Sequence, residues 1–293
     1  ALPPTPPAAT AAPSATPAGI AVTDSLGRTV KLEKPPARIV SLSPANTEIL
    51  FALGVGDRVV AVDEWSDYPP EAKGKTRLTG LRPNVEQLID LDPDLVLYVG
   101  GMQDLVAQLE GKGVKVAVLA PRNLEEIYGN LEMVGKLTGT EEAARKLVAG
   151  MRQRAEAVVS KTKDAPRPRV FYEIDASDPS KPYTAGPGSF VDALITMAGG
   201  ANVAANARAQ WAQFSLEELI KADPEIVVLA DALVPTNPQT PEMVARRNGW
   251  EKLTAVKKMA IYPIDTDIVS RPGPRIVDGL EALAAIIHPE LFR

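Results

Sequence analysis

The 293 residues suffice for two α/β domains, each with its own core, and 45% hydrophobic with 24% charged residues is the composition of a folded globular protein. A formal net charge of −5, without a Lys/Arg stripe interleaved with aromatics, excludes the electrostatic footprint of a nucleic-acid binder, and the lack of cysteine excludes disulfides and thiolate metal sites. No run of about 18 apolar residues is present to span a bilayer as a helix.

Residues 1–22 read as a linker, because ALPPTPPAATAAPSATPAG carries neither charge nor apolar periodicity and cannot form a core. It is either a plain chain end or a tether holding the folded part away from a lipid anchor in a membrane. A chain opening at Ala1 without Met reads as processed or trimmed, any signal peptide already gone. The pattern changes near Ile20, where VTDSLGRTVKLEKPPARIVSL predicts a hairpin turning at Ser25 to Gly27 and feeding a buried strand at Arg38 to Leu42. Ser43 is then the expected N-cap and Pro44 the first residue of a helix whose apolar run, Ile49, Leu50 and Leu53, stops at Gly54.

Further β-branched runs at Val59 to Val62, Leu95 to Tyr98 and Val114 to Leu119 alternate with helical patterns at Asn84 to Leu91 and Leu105 to Glu110, which argues for a parallel sheet covered by helices. An N-terminal lobe is expected over 23–137. Residues 140–163 place Ala144, Leu147, Val148, Met151, Ala155 and Val158 at spacings of three and four behind Thr140 and two Glu, predicting one helix of about 35 Å. Such a helix, within a connecting segment 138–165, would join the first lobe to a second over 166–293. That second lobe repeats the architecture, with strands at Arg169 to Ile174, Ile226 to Ala230 and Ala260 to Ile264, and helices near Ser189 to Met197, Ser215 to Lys221 and Pro274 to Ile287. The expected fold is α/β: two Rossmann-like lobes with central, mainly parallel sheets joined by one long helix.

The two lobes share a sequence. NVEQLIDLDPDLVLY, from Asn84, aligns without gaps on SLEELIKADPEIVVL, from Ser215, matching Glu86 with Glu217, Leu88 with Leu219, Asp92 with Asp223 and Pro93 with Pro224. Each copy opens with a capping-box pattern, Asn84 with Gln87 and Ser215 with Glu218, which leaves Glu86 and Glu217 at the second helical position and free to point outward. An acid in the first turn of a helix also complements the helix dipole. The dipole alone does not require the same slot in both lobes.

RIVSLSPANTEILFALG (38–54), WSDYPPEA (65–72), NVEQLIDLDPDLVL (84–97), QWAQFSLEELI (210–220) and SRPGPR (270–275) together resemble the class III substrate-binding proteins of ABC importers, and in particular the periplasmic cobalamin-binding type. The resemblance runs from about residue 23 to the C-terminus. It implies a monomer at the outer face of the cell membrane, with the ligand in a cleft between two lobes and a glutamate from each lobe, here Glu86 and Glu217, docking on the dimeric ABC permease. It also implies cleft contacts at Trp65, Tyr183, Trp211, Asp267 and Arg271, residue types suited to the apolar faces and amide arms of a corrinoid. Where the cobalamin pattern has further aromatics, this chain has Gly80 and, near a third, Val99.

Core packing is the alternative for Trp65 and Trp211, and a surface pair with Asp267 is the alternative for Arg271. A ferric siderophore is the rival ligand, because Arg82, Arg271 and Tyr183 could meet an anionic chelate. A strongly basic cleft would favour it, whereas an aromatic and nearly neutral one would favour a corrinoid. Haem is disfavoured, since the family position for its tyrosine falls on Leu81 and the one histidine, His288, lies at the C-terminal end. Metal capture by several His and carboxylates is disfavoured by the same shortage. No dinucleotide fingerprint, Walker loop or nucleophile elbow is present, and GPGS at 186–189 lacks the phosphate-loop lysine, so neither enzymatic activity, catalytic residues nor a cofactor is expected, a carboxylate-based enzyme being the less favoured alternative.

Overall fold

A computed structural model describes residues 19–80, 82–100, 103–234 and 237–292. Leu81 and most of the expected linker, residues 1–18, lie outside the described residues. The linker boundary at 22 falls inside a strand: β1 (Ile20–Thr23) pairs antiparallel with β2 (Thr29–Leu32), and Val22, Val30 and Leu32 are buried in the first lobe. The two-residue alternation of that segment outweighs its proximity to the Pro/Ala-rich stretch.

Five strands form the parallel sheet of the N-terminal lobe: β3 (Ile39–Ser41), β4 (Val59–Asp63), β5 (Thr76–Leu78), β6 (Leu95–Tyr98) and β7 (Lys115–Val118), in the order β5-β4-β3-β6-β7. Their crossovers carry α1 (Pro44–Ala52), α2 (Val85–Asp90) and α3 (Gln103–Gly111). The order runs outward in both directions from β3, so the switch point, where an α/β sheet opens its binding crevice, lies between β3 and β6. Next comes α4 (Leu124–Thr138), closed by Gly139 at a φ of 73°, a left-handed cap that glycine adopts without strain.

The long helix α5 (Glu141–Thr162) has 22 residues, about 33 Å. Thr140 gives it no side-chain cap, because its hydroxyl is taken by that of Thr138 at 2.8 Å; Glu141 and Glu142 occupy its first turn. Ala144, Val148, Met151, Ala155 and Val158 are buried, and the helix contributes to one continuous apolar core shared by Ile39 and Leu95 of the first sheet and Val170 and Leu280 of the second half. Arg152 ties α5 back to Glu125 of α4, while Arg154 ties it forward to Asp278 and Glu281.

The C-terminal sheet comprises β8 (Arg169–Asp175), β9 (Tyr183–Ala185), β10 (Ala201–Asn202), β11 (Trp211–Gln213), β12 (Ile226–Leu229) and β13 (Ile261–Pro263), in the order β11-β9-β8-β12-β13 with β10 also on β8. Pairs among β8, β10, β12 and β13 are parallel; β9 and β11 form an antiparallel margin. Around it lie α6 (Phe190–Met197), α7 (Leu216–Ala222), α8 (Pro241–Ala245), α9 (Thr254–Lys257), α10 (Thr266–Ser270) and α11 (Ile276–Ile287), the last packed on α5, α6 and α10. The protein is thus an α/β fold of two lobes with mainly parallel sheets joined by one long helix. No helix among the described residues is long and apolar enough to cross a membrane.

The internal repeat extends further than the aligned stretch. Asp92 and Asp223 both take left-handed conformations, at φ of 45° and 43°, ahead of Pro93 and Pro224. Arg38 donates to the carbonyls of Leu91 and Asp92, and Arg169 donates to those of Ala222 and Asp223. Asp94 accepts from the N–H of Arg38, as Glu225 does from that of Arg169. The offset that carries Glu86 onto Glu217 carries Arg38 onto Arg169, so each lobe clamps the C-terminal end of this helix by the same device.

Candidate functional site

On the N-terminal side the site is built where β3 and β4 end. Ser43 and Pro44 start α1 as expected, but the Ser43 side chain does not cap the helix; its carbonyl accepts from the N–H and the hydroxyl of Thr47. Beyond β4, the segment 64–68 projects Trp65, whose side chain is 64% exposed, with Asp67 and Tyr68 behind it.

The C-terminal lobe meets this segment with the residues following β13. Asp265 caps α10 by accepting from the N–H of Asp267, and the chain then presents Arg271 and Arg275. Arg271 donates to Asp67 at 2.8 Å, to Glu48 at 3.3 Å and to the carbonyl of Trp65 at 3.4 Å, and pairs with Asp267 at 2.8 Å. Arg275 holds Glu48 with bonds of 2.6 and 2.9 Å and stacks over the Tyr68 ring at 4.0 Å. Glu48, Asp67 and Tyr68 belong to one lobe and both arginines to the other, so this network ties the two lobes together.

Burial disfavours the charged form of Asp67, but the Arg271 hydrogen bond and charge more than offset it and hold the carboxyl below its usual range. Asp267 is raised by burial, with Arg271 only partly compensating and Asp67 and Asp265 adding repulsion. Two guanidinium groups therefore face three carboxylates, and Arg271 is saturated with acceptors of its own chain.

The expected aromatics Tyr183 and Trp211 form a separate pair. β11 runs antiparallel to β9 with Trp211 opposite Ala185 and Gln213 opposite Tyr183, which places Tyr183 and Trp211 diagonally on one face of this margin. Both remain open, at 44% and 48% exposure, and Phe190 packs edge-on against Trp211 with ring centroids 5.7 Å apart. Core packing therefore accounts for neither exposed indole; the third, Trp250, is the buried one. Among the described residues no hydrogen bond or ring contact joins the Tyr183–Trp211 pair to the Arg271 network. The GPGS segment is a turn opening a helix: Ser189 donates to the Gly186 carbonyl and accepts from the N–H of Asp192.

Gly80 has a local cause for lacking a side chain. A Cβ there would lie 2.8 Å from the Cβ of Asp63 and 3.1 Å from its Oδ2, so no aromatic fits without displacing Asp63. Val99, the other departure, is partly exposed.

Glu86 and Glu217 are exposed at the second positions of α2 and α7. The full capping box forms at Ser215 and Glu218, while at α2 Asn84 supplies its half, accepting from the N–H of Glu86 and of Gln87. His288 is buried, its ring nitrogens 3.3 Å from Glu290 and from the Gly199 carbonyl.

Several residues of this site are not apparent in the sequence. Glu48 is a lone charge within the buried stretch of α1, and that interruption is the one signal it gives. In the C-terminal lobe a second buried ion pair joins Arg247 to Glu173 with bonds of 2.5 and 2.8 Å, Arg247 also donating to Gln239 and stacking on Trp250. Beside it Asp231, only 4% exposed, has no hydrogen-bond partner at either carboxylate oxygen among the described residues. Burial, then repulsion from Glu173, pushes its pKa up to about 7 against the pull of Arg247. Among the described residues no three His, Cys, Asp or Glu side chains gather in a metal-binding group.

The model of the periplasmic binding protein family matches residues 39–268. An ABC transporter substrate-binding lipoprotein of uncharacterised specificity from Bacillus subtilis, YvrC, is 34% identical over 282 residues, covering 94% of this chain and 87% of its own. A cobalamin-binding protein of Halobacterium salinarum is 32% identical over 274 residues, covering 90% and 73%. The solved structure of the periplasmic vitamin B12-binding protein BtuF of Vibrio cholerae superimposes with a TM-score of 0.76 at 26% identity, over 88% of this chain and 99% of that one.

Proposed function

The chain belongs to the periplasmic binding protein family, a family of extracytoplasmic ligand carriers, and on that premise we propose that it captures a corrinoid, cobalamin or cobinamide, between its lobes and delivers it to an ABC permease. The observation that carries this reading is the combination of exposed aromatic surface with a saturated arginine: Trp65, Tyr183 and Trp211 are open, while Arg271 is held by Glu48, Asp67 and Asp267. A corrin offers broad apolar faces that bury well against indole and phenol rings, and its amide arms can donate to Asp267 or Asp67. An anionic ferric siderophore needs free cations, and three carboxylates around two guanidinium groups oppose it. The names of the two cobalamin-binding relatives support the same choice.

Trp65, Tyr183, Trp211, Asp267 and Arg271 are the proposed ligand contacts; Glu86 and Glu217 are the proposed docking acids, one from each lobe, for arginines of a dimeric permease. The protein acts as a monomer without a cofactor of its own, and the Pro/Ala-rich N-terminal segment tethers it to a lipid anchor, in line with the lipoprotein name of the Bacillus relative. Titrating the purified protein with cyanocobalamin while following tryptophan emission tests the reading. Saturable quenching supports it; no response to corrinoids, with a response to a ferric hydroxamate or catecholate, replaces the corrinoid with a siderophore.

A further inference from the structure

We propose that Asp63 is the positioning residue of the cleft wall: through a buried chain of hydroxyl groups it sets the orientation in which Trp65 and Asp67 are presented to the ligand. The role rests on the cleft reading above, but the geometry behind it is independent of which ligand binds.

Asp63 is the last residue of β4 and is buried, as are Ser66, Thr47 and Ser41. The Ser66 hydroxyl donates to the Asp63 carboxylate and lies 2.8 Å from the Thr47 hydroxyl, which in turn lies 2.8 Å from that of Ser41 and 3.1 Å from the Ser43 carbonyl. The chain thus links the end of β3, the first turn of α1 and the segment after β4, and its hydroxyl groups all have partners. A satisfied buried polar network enforces a single arrangement more strictly than apolar packing does, because any shift strands a polar group away from water.

Two further braces act on the same few residues. Arg77 donates to the carbonyls of Asp63 at 2.9 Å and Ser66 at 2.7 Å, and the Glu64 carboxylate accepts the N–H of Gly80. Gly80 itself leaves the room that Asp63 occupies. Everything that leaves this braced segment faces the other lobe or solvent: the indole of Trp65, the carboxylate of Asp67 on Arg271, and the ring of Tyr68 under Arg275. A segment held this tightly, yet exposing a large indole, is preorganised for contact.

The test is time-resolved fluorescence anisotropy of the ligand-free full chain carrying Trp211→Phe, in which emission comes from exposed Trp65 and buried Trp250, and iodide isolates the exposed contribution. Asp63→Asn and Ser66→Ala are compared with this parent, together with cyanocobalamin affinity and thermal midpoint. The expected result is a new nanosecond depolarisation of Trp65 in both variants, with affinity lower by about tenfold and an intact cooperative unfolding transition. Should Asp63→Asn fail to fold, Thr47→Val, which removes one hydroxyl at nearly constant volume, gives the same readout. Unchanged Trp65 anisotropy in folded variants overturns the proposal, whether affinity falls or not. If the chain with all three tryptophans intact fails to bind cyanocobalamin, the corrinoid reading fails, while the anisotropy comparison still decides the role of Asp63.

Discussion

Glu48 of the N-terminal lobe and Arg275 of the C-terminal lobe share two hydrogen bonds, of 2.6 and 2.9 Å, although they stand 227 positions apart in the chain. Glu48 is almost wholly buried and also receives Arg271, so a single carboxylate pairs with two cations across the lobe boundary. With α5 as a rigid spacer on one side, this pair fixes the lobes on another. Glu48→Ala leaves both guanidinium groups partly buried and short of a partner. Denaturant unfolding is expected to show a loss of about 3 kcal/mol, whereas an exposed pair such as Lys181 with Asp178 is screened by solvent and contributes little.

Asp231 makes stability depend on pH in the direction opposite to ordinary acid denaturation. Its pKa is about 7 in the folded protein against a usual 3.8, so between those values the folded state binds the extra proton. Stability therefore rises as pH falls from above 7 towards 4, by on the order of 1 kcal/mol per pH unit. Glu173 and Arg247, themselves an ion pair, are the charged groups that face it. Melting curves of the parent between pH 5 and 8 should show this slope, and Asp231→Asn should flatten it while raising the midpoint at pH 8. A parent curve already flat over that range would mean that Asp231 is ionised and satisfied by other means.

Much of the architecture is legible in the residues themselves. Alternating β-branched runs and capped helices foretell both sheets, and the three-and-four spacing from Ala144 to Val158 foretells α5. The antiparallel margin of β9 and β11 is not foretold, because a three-residue strand exposed on one face carries too short a period to register. The Arg38 and Arg169 clamps lie outside the aligned stretch, yet the same offset finds them once the lobes are seen as copies. Glu48, Asp67 and Arg275 stay hidden for a different reason: an ion pair is a property of two distant positions, and neither carries a local mark of its partner. Asp63 is hidden likewise, since its hydroxyl partners Ser66 and Thr47 lie on separate elements.

The docking proposal predicts a separation of functions. Glu86 and Glu217 are exposed and sit away from the Arg271 network, so Glu86→Arg with Glu217→Arg should leave ligand affinity within about twofold and the thermal midpoint nearly unchanged. In proteoliposomes carrying the cognate permease, ligand-stimulated ATP hydrolysis and uptake should be lost, since each acid meets a like charge in its place. Uptake at the parent rate with both acids reversed would remove them from the interface.

Trp65 and Trp211 are expected to contribute separately, because they stand on different lobes without a shared contact. Trp65→Ala and Trp211→Ala should each weaken corrinoid binding by about 1–2 kcal/mol, with the double variant close to additive, as read by calorimetry. Loss confined to one of them would place the corrin ring against a single wall.

Parallel calorimetric titrations of the full chain with cyanocobalamin, a ferric hydroxamate and a ferric catecholate measure the central claim most directly. The account predicts stoichiometric binding of the corrinoid, at micromolar dissociation constant or tighter, and little or no heat from either anionic chelate. Tight binding of a chelate with no binding of the corrinoid would contradict it.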